Sequence, residues 1–319
     1  MLTHLSMTFH SLRPGPRSLA IAAVVLANVI WGTTFVATKP VLAHLPPLTV
    51  ATLRFAVALL ALLVVLGRKG ARPAFGRPVA LLGFTGVFLV YACQNIGLKY
   101  TSATNGALIH GGIPVFTALL AVPLLGERLS GARLAGIMVS LAGVGGVIAF
   151  GARVNLGFSL AGDTLVLASA VSLALYLIIG RRITALVRSP LEAMAGAMCY
   201  GLLFLVPASA VELALNGASR PGPADLSALL YLGIAASALA FVLWGYGLRH
   251  LEAGQAALAT SLSPLVGLVA AAVVLGEPIT TVQLGGGVLI LSGMWLSWRA
   301  DVTSPRRGRA GAPVRVGAA

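Results

Sequence analysis

Few side chains in this sequence can do chemistry, and most of those stand inside apolar runs. His110 lies four residues before Pro114, next to Gly111-Gly112. An unperturbed imidazole titrates near neutral pH and is easily shifted, so at depth it either binds a carboxylate, passes a proton, or stays neutral and bonds a neighbouring helix. Arg54 follows Pro47 by seven residues. Its guanidinium fork either captures a carboxylate or serves as a structural or gating tie. Trp31 with Asn28, Thr33 and Thr34, and Tyr91 with Gln94 and Asn95, set aromatic faces beside hydroxyl and amide groups, as do Trp244 and Tyr246 without the amides. Such sets wall a cavity for an amphipathic molecule or form an interfacial belt; the belt reading suits Trp295 and Trp298.

Other chemistries lack their residues. Asp163, Glu192, Glu212, Asp225, Glu252 and Glu277 are all expected near helix ends or loops, leaving no deep carboxylate for ion coupling. Proton coupling, if used, falls to His110 or to the cargo's own ionisation, with a facilitator or exchanger equally open. Cys93 and Cys199 sit in apolar runs and read as packing residues, with no disulfide framework or metal site implied. No HExxH, GxSxG or phosphate-cradling Gly-rich loop with Lys is found, so neither an enzyme nor an ATP-driven pump is expected, and no cofactor.

These residues must be positioned in lipid. With 58% hydrophobic and 9% charged residues, the 319-residue chain lacks the polar surface of a soluble globule. The net charge of +14 comes from short basic clusters between apolar runs, which excludes nucleic acid as the natural partner. A bilayer core of about 30 Å takes about 20 helical residues. Runs of that length predict an all-α polytopic membrane protein with ten spans, near 18–38, 47–67, 78–98, 104–125, 131–150, 159–180, 190–212, 225–248, 255–275 and 280–299. Residues 1–17 form a cytoplasmic segment ahead of a retained signal anchor, and 300–319 a disordered basic tail. A cytoplasmic N-terminus places 17 of the basic residues inside, among them Arg68, Lys69, Arg128, Arg133, Arg181, Arg182, Arg188 and Arg249, against Lys39, Lys99, Arg153 and Arg220 outside. Both termini are thus expected in the cytoplasm.

The chain also repeats. Residues 97–144 align with 247–294 without a gap, with roughly 14 of 48 positions identical. The matches include Ala107/Ala257, Leu108/Leu258, Pro114/Pro264, Gly126-Glu127/Gly276-Glu277 and Gly136/Gly286. Five spans per half turn the second copy over, giving two inverted five-helix repeats, 18–150 and 159–299. That symmetry suits a carrier whose halves exchange conformations and so open a central site to one face and then the other. Pro114 and Pro264 each remove a backbone N–H in mid-span, and each is expected to free the carbonyl four residues earlier, at His110 and Thr260. Either the kink is packed against neighbours, or it marks the central site. Gly136, Ser140 and Gly143, with Gly285, Gly286 and Gly293, read as close helix-packing surfaces.

Trp31-Gly32-Thr33-Thr34-Phe35 followed by Lys39, the Pro47 to Arg54-Phe55 stretch, the two prolines and the two Gly-Glu corners together resemble the EamA family of the drug/metabolite transporter superfamily, over about residues 18–299. The resemblance implies a ten-helix secondary carrier of the bacterial inner membrane, commonly exporting amino acids or related metabolites. One departure stands out: the second repeat offers Ala174-Leu175-Tyr176 with Arg181-Arg182 where the first has Trp-Gly. Candidate cargo-binding residues are therefore His110, Trp31, Thr34, Tyr91, Asn95, Thr260 and Trp244, with Arg54, Pro114 and Pro264 gating or structural. The partners expected are a small-molecule cargo and the bilayer, with a monomer or a homodimer both open. Competing readings are a carrier of nucleoside, nucleotide-linked or lipophilic drug-like cargo, and a membrane scaffold without transport.

Overall fold

The computed structural model describes residues 16–127, 129–154, 160–183, 189–217, 219–251 and 259–303. Most of segment 1–17, the tail beyond Thr303, Arg128, Arg188, Glu252 and the repeat positions Ala257 and Leu258 lie outside the described residues, as do the side chains of Arg153, Arg181 and Arg182.

The described chain folds into ten helical rods. In order they are α1 (Pro16–Gly32, continued as Thr34–Val41), α2 (Pro47–Arg68), α3 (Arg77–Leu82, Gly83–Leu89, Val90–Lys99), α4 (Ala103–Gly111, then Ile113–Leu125), α5 (Gly131–Val154), α6 (Leu160–Ile183), α7 (Pro190–Asn216), α8 (Pro223–Leu230, Tyr231–Leu239, Ala240–His250), α9 (Leu262–Leu275) and α10 (Thr281–Thr303). Among the described residues, α1 to α8 are long and apolar enough to cross a membrane, and α9 is a shorter apolar helix. The expectation of ten spans therefore stands at eight by length and composition. The described part of α9 follows the undescribed residues 252–258, while glycines, Gln283 and two tryptophans dilute the apolar character of α10.

Local sequence explains the ends. Pro47, Pro190 and Pro223 open their helices, where a missing N–H costs nothing. Gly126 and Gly276 close α4 and α9 with φ of 67° and 65°, a left-handed cap that suits glycine. The following Glu127 and Glu277 N–H groups donate to the carbonyls of Ala121 and Ala271, both at 3.3 Å, so the two corners are the same motif built twice.

Packing follows the same duplication. α5 lies on α10, where a Cβ on Gly143 would come 2.7 Å from the Gly286 carbonyl oxygen, so only bare backbone fits. Ser140 Oγ donates to the carbonyl of Ile290, its own counterpart 150 residues on, at 2.7 Å. A self-paired contact of this kind is what a two-fold relation between the halves produces. α1 packs on α8 and α9, and α6 on α3 and α4.

Candidate functional site

The middle of the bundle is made of interrupted helices. α1 breaks at Thr33, α4 at Gly112 and α9 at Ser261. The expected origin of the α4 and α9 breaks needs correction: the prolines do not kink continuous helices. Pro114 is the second residue of a new helix after Gly112, and Pro264 the third residue of α9, where neither has to supply an N–H. α3 and α8 each carry a π-helical turn, over Gly83–Leu89 and Tyr231–Leu239. At the repeat offset, 83–89 falls on 233–239. π turns loosen the regular backbone ladder, and both sit where the chemistry converges.

Adjacent residues of the α8 turn receive the two side chains singled out in the first repeat. Trp31 Nε1 donates to the Ala236 carbonyl at 3.1 Å, and Arg54 Nε donates to Ser237 Oγ at 2.7 Å. Arg54 is 2% exposed; its guanidinium carbon lies 4.5 Å from the centre of the Tyr91 ring, and its NH2 contacts the Tyr91 hydroxyl at 3.4 Å. A buried guanidinium is tolerated where hydroxyls and a π-face replace water. Trp31 packs against Phe241 and Trp244 with ring centres 5.3 and 5.6 Å apart. Thr33 Oγ1 meets the Tyr231 hydroxyl at the α1 break.

His110 forms a second focus. Its Nε2 is 2.7 Å from Ser169 Oγ on α6, and Phe35 meets its ring edge-on at 4.9 Å. Ser169 spends its only proton on the Val166 carbonyl, so His110 Nε2 is the donor in the pair. Nδ1 is then the nitrogen left to take up or give a proton, or to bind one from a ligand.

Two candidates have other occupations, and a third stands at a break. Thr34 turns its hydroxyl back to the Trp31 carbonyl at 2.7 Å. Asn95 is fully buried and braces α3 on α2 through the Pro47 carbonyl at 3.1 Å, while its Oδ1 has no hydrogen-bond partner among the described residues. Thr260 is half-buried one residue before the α9 break.

The structure adds residues that the sequence reading passed over. Asp163, expected near a helix end with no deep role, is wholly buried in the first turn of α6. Thr101 Oγ1 and Asn105 Nδ2 donate to it, the latter at 3.2 Å. The Asn105 amide is oriented by Gln283, whose Nε2 donates to Asn105 Oδ1 at 2.7 Å and whose own oxygen accepts from the Thr280 N–H. Asp163 is thus the acceptor on which this relay of hydrogen bonds converges. Lys39 Nζ adjoins it, donating to the carbonyls of Leu98 (2.7 Å) and Thr101. Glu277 caps α4 from the other half, accepting from the N–H groups of Ala103 (2.8 Å) and Thr104 (2.9 Å), and Glu212 does the same for α2 at Leu48 (2.9 Å) and Thr49 (3.1 Å).

Tyr176 is the other addition. Its ring lies over Gly86, where a Cβ would fall 2.1 Å away. Gly86 is the counterpart of Ala236, the residue that Trp31 contacts, so Tyr176 fills in the second half the place Trp31 fills in the first. The aromatic position was kept while the Trp-Gly letters were lost. The one trace in the sequence was that Asp163, Ser169 and Tyr176 share a mostly apolar helix.

The EamA-like transporter family model matches this chain twice, over residues 18–149 and again over 160–299. The chain belongs to the EamA-like transporter family. It is a multi-pass membrane transporter of two repeats, within the drug/metabolite transporter superfamily. Among similar proteins, one from Streptantibioticus cattleyicolor named "Probable terminal-alkyne amino-acid exporter" is 32% identical, across 93% of this chain and 99% of that one. Another, from Salmonella typhimurium and named "Probable amino-acid metabolite efflux pump", is 33% identical across 86% and 92%. A solved crystal structure with 24% identity superposes with a TM-score of 0.65 over 88% of this chain and 98% of that chain, which shows the shared fold.

Proposed function

We propose that this transporter is a secondary exporter of small metabolites, with amino acids as the leading cargo class, acting by alternating access in a bacterial inner membrane with both termini cytoplasmic. The observation that carries this reading is the convergence of Trp31 and Arg54 on neighbouring residues of the interrupted α8, with His110 at the interrupted α4 as a second focus. The names of the relatives support both the cargo class and the outward direction. In this reading His110 Nδ1 contacts the cargo or carries a proton, the Trp31–Trp244 and Tyr91–Tyr176 faces hold its apolar part, and Arg54 ties α2 and α3 to the α8 turn. The Lys39–Thr101–Asp163–Asn105–Gln283 relay and the Glu277 cap join both halves at one end of the bundle, and in this reading they act as the outer gate. Carrier function leaves the chain no catalytic role of its own. Nucleotide-linked cargo fits less well, because it calls for several deep cations and Arg54 is already committed to Ser237 and Tyr91. Efflux of labelled amino acids from cells expressing the chain tests the reading: faster loss of a specific amino acid supports it, and an unchanged rate for all of them counts against it.

A further inference from the structure

A cleft of about 460 Å³ runs between α1, α8 and α9 at the end of the bundle that carries His44 and Asp225. Its walls come from Val36, Ala37 and Pro40 of α1, Ala224 and Ala228 of α8, and Ala270 and Val274 of α9. Alanines line all three walls, and their small size is what keeps the cleft open. The α1 wall runs from Thr33 to Val41, about 12 Å at 1.5 Å per residue, close to the roughly 15 Å of hydrocarbon in one leaflet. The mouth faces sideways: Val274 is 68% exposed and its neighbour Val273 78%, on a helix whose other outward residues, Leu265 and Val269, are also apolar.

In a bilayer this groove meets hydrocarbon, and water there would find almost no polar partner. The floor has Thr33 and Tyr231, whose hydroxyls are already bonded to each other. The polar end is different. Asp225 lines the cleft there, and His44, with its side chain 55% exposed, holds it through Nδ1 at 3.1 Å.

We propose that this cleft is a phospholipid site: one acyl chain lies along α1 between α8 and α9, and a zwitterionic headgroup sets its ammonium against Asp225. The match of length to a single leaflet, the apolar walls and a single carboxylate at the interfacial end select a phospholipid over a polar cargo. The inference is independent of the cargo reading. Its position gives it a consequence, since the inner end of the chain would rest against Thr33 and Tyr231, the break in α1 and the first residue of the α8 π turn.

The test uses the full chain in vesicles of phosphatidylethanolamine and phosphatidylglycerol doped with a phosphatidylcholine that carries a diazirine midway along one acyl chain. After illumination, mass spectrometry should find adducts concentrated on residues 33–41, 224–231 and 270–274, falling about fivefold or more in Ala228→Phe. Ala270→Leu, on a different wall, gives the same readout should the first variant fail to fold. Three results would overturn the proposal: adducts spread evenly over lipid-facing residues such as Leu60 and Leu203, adducts in the cleft displaced by amino acids, or chain-to-chain crosslinks at the same residues, which would put a second copy there.

Discussion

Arg54 and His110 mark two ways of keeping a polar group inside a membrane bundle. Arg54 is held by a hydroxyl and a ring, with Ser237 taking the Nε–H. Ser237→Ala leaves that N–H buried without its partner and should cost about 1–3 kcal/mol, read as a lower melting temperature in detergent, with Ser237→Thr close to wild type. His110 is oriented by one serine and by the edge of Phe35, so Ser169→Ala frees the ring without removing it. Transport by Ser169→Ala should fall severalfold and that by His110→Ala about tenfold or more, equivalent to about 1.4 kcal/mol; equal efflux in both variants and wild type would assign His110 to packing. Arg54, His110 and Trp31 were legible in the sequence because polar and aromatic residues are conspicuous in an apolar run. Asp163, Ser169 and Tyr176 were not, because their meaning depends on partners some 60 to 90 positions earlier in the chain: Thr101 and Asn105, His110, and Gly86. Asp163 stands three residues into α6, and only the neighbours α3 and α4 turn that helix end into an interior.

At the scale of elements, the positions of the breaks were readable and their cause was not. Pro114 and Pro264 did locate discontinuities, yet the α4 chain turns at Gly112, and each proline starts the next helix without strain. The π turns left no mark in the hydrophobic pattern, since a lengthened turn keeps the same apolar composition. The first of them packs tightly against α6, with the Tyr176 ring over Gly86. Gly86→Ala should therefore lower the yield of folded protein sharply, and Tyr176→Ala in the same chain should restore much of it; size-exclusion profiles of the single and double variants decide this. The α5–α10 seam should behave differently. Gly143→Val drives side-chain atoms into the Gly286 backbone, and no flexible partner can yield, so a second substitution should give no rescue.

The whole molecule is two copies of one design, and this was its most legible feature: a gapless alignment with shared Pro and Gly-Glu positions survives in residue types that backbone geometry demands. The first helix of each half has drifted further, to the point that the Trp31 and Tyr176 equivalence shows only in space. The duplication also explains why the contacts at one end of the bundle come from both halves. Gln283 and Glu277 reach from the second repeat to Asn105, Ala103 and Thr104 in the first. Gln283→Leu removes the orienting amide and should favour the outward-open form, so that a cysteine placed at Thr104 reacts several times faster with a membrane-impermeant maleimide added outside. An unchanged rate would remove the relay from the gate.

The most direct measurement is efflux from proteoliposomes loaded with labelled amino acids, comparing wild type with His110→Ala, with and without a pH gradient. Protein-dependent release of a specific amino acid, lost or much reduced in the variant, is the result expected. Release no faster than from protein-free vesicles, for every amino acid and under either gradient, would contradict amino-acid export.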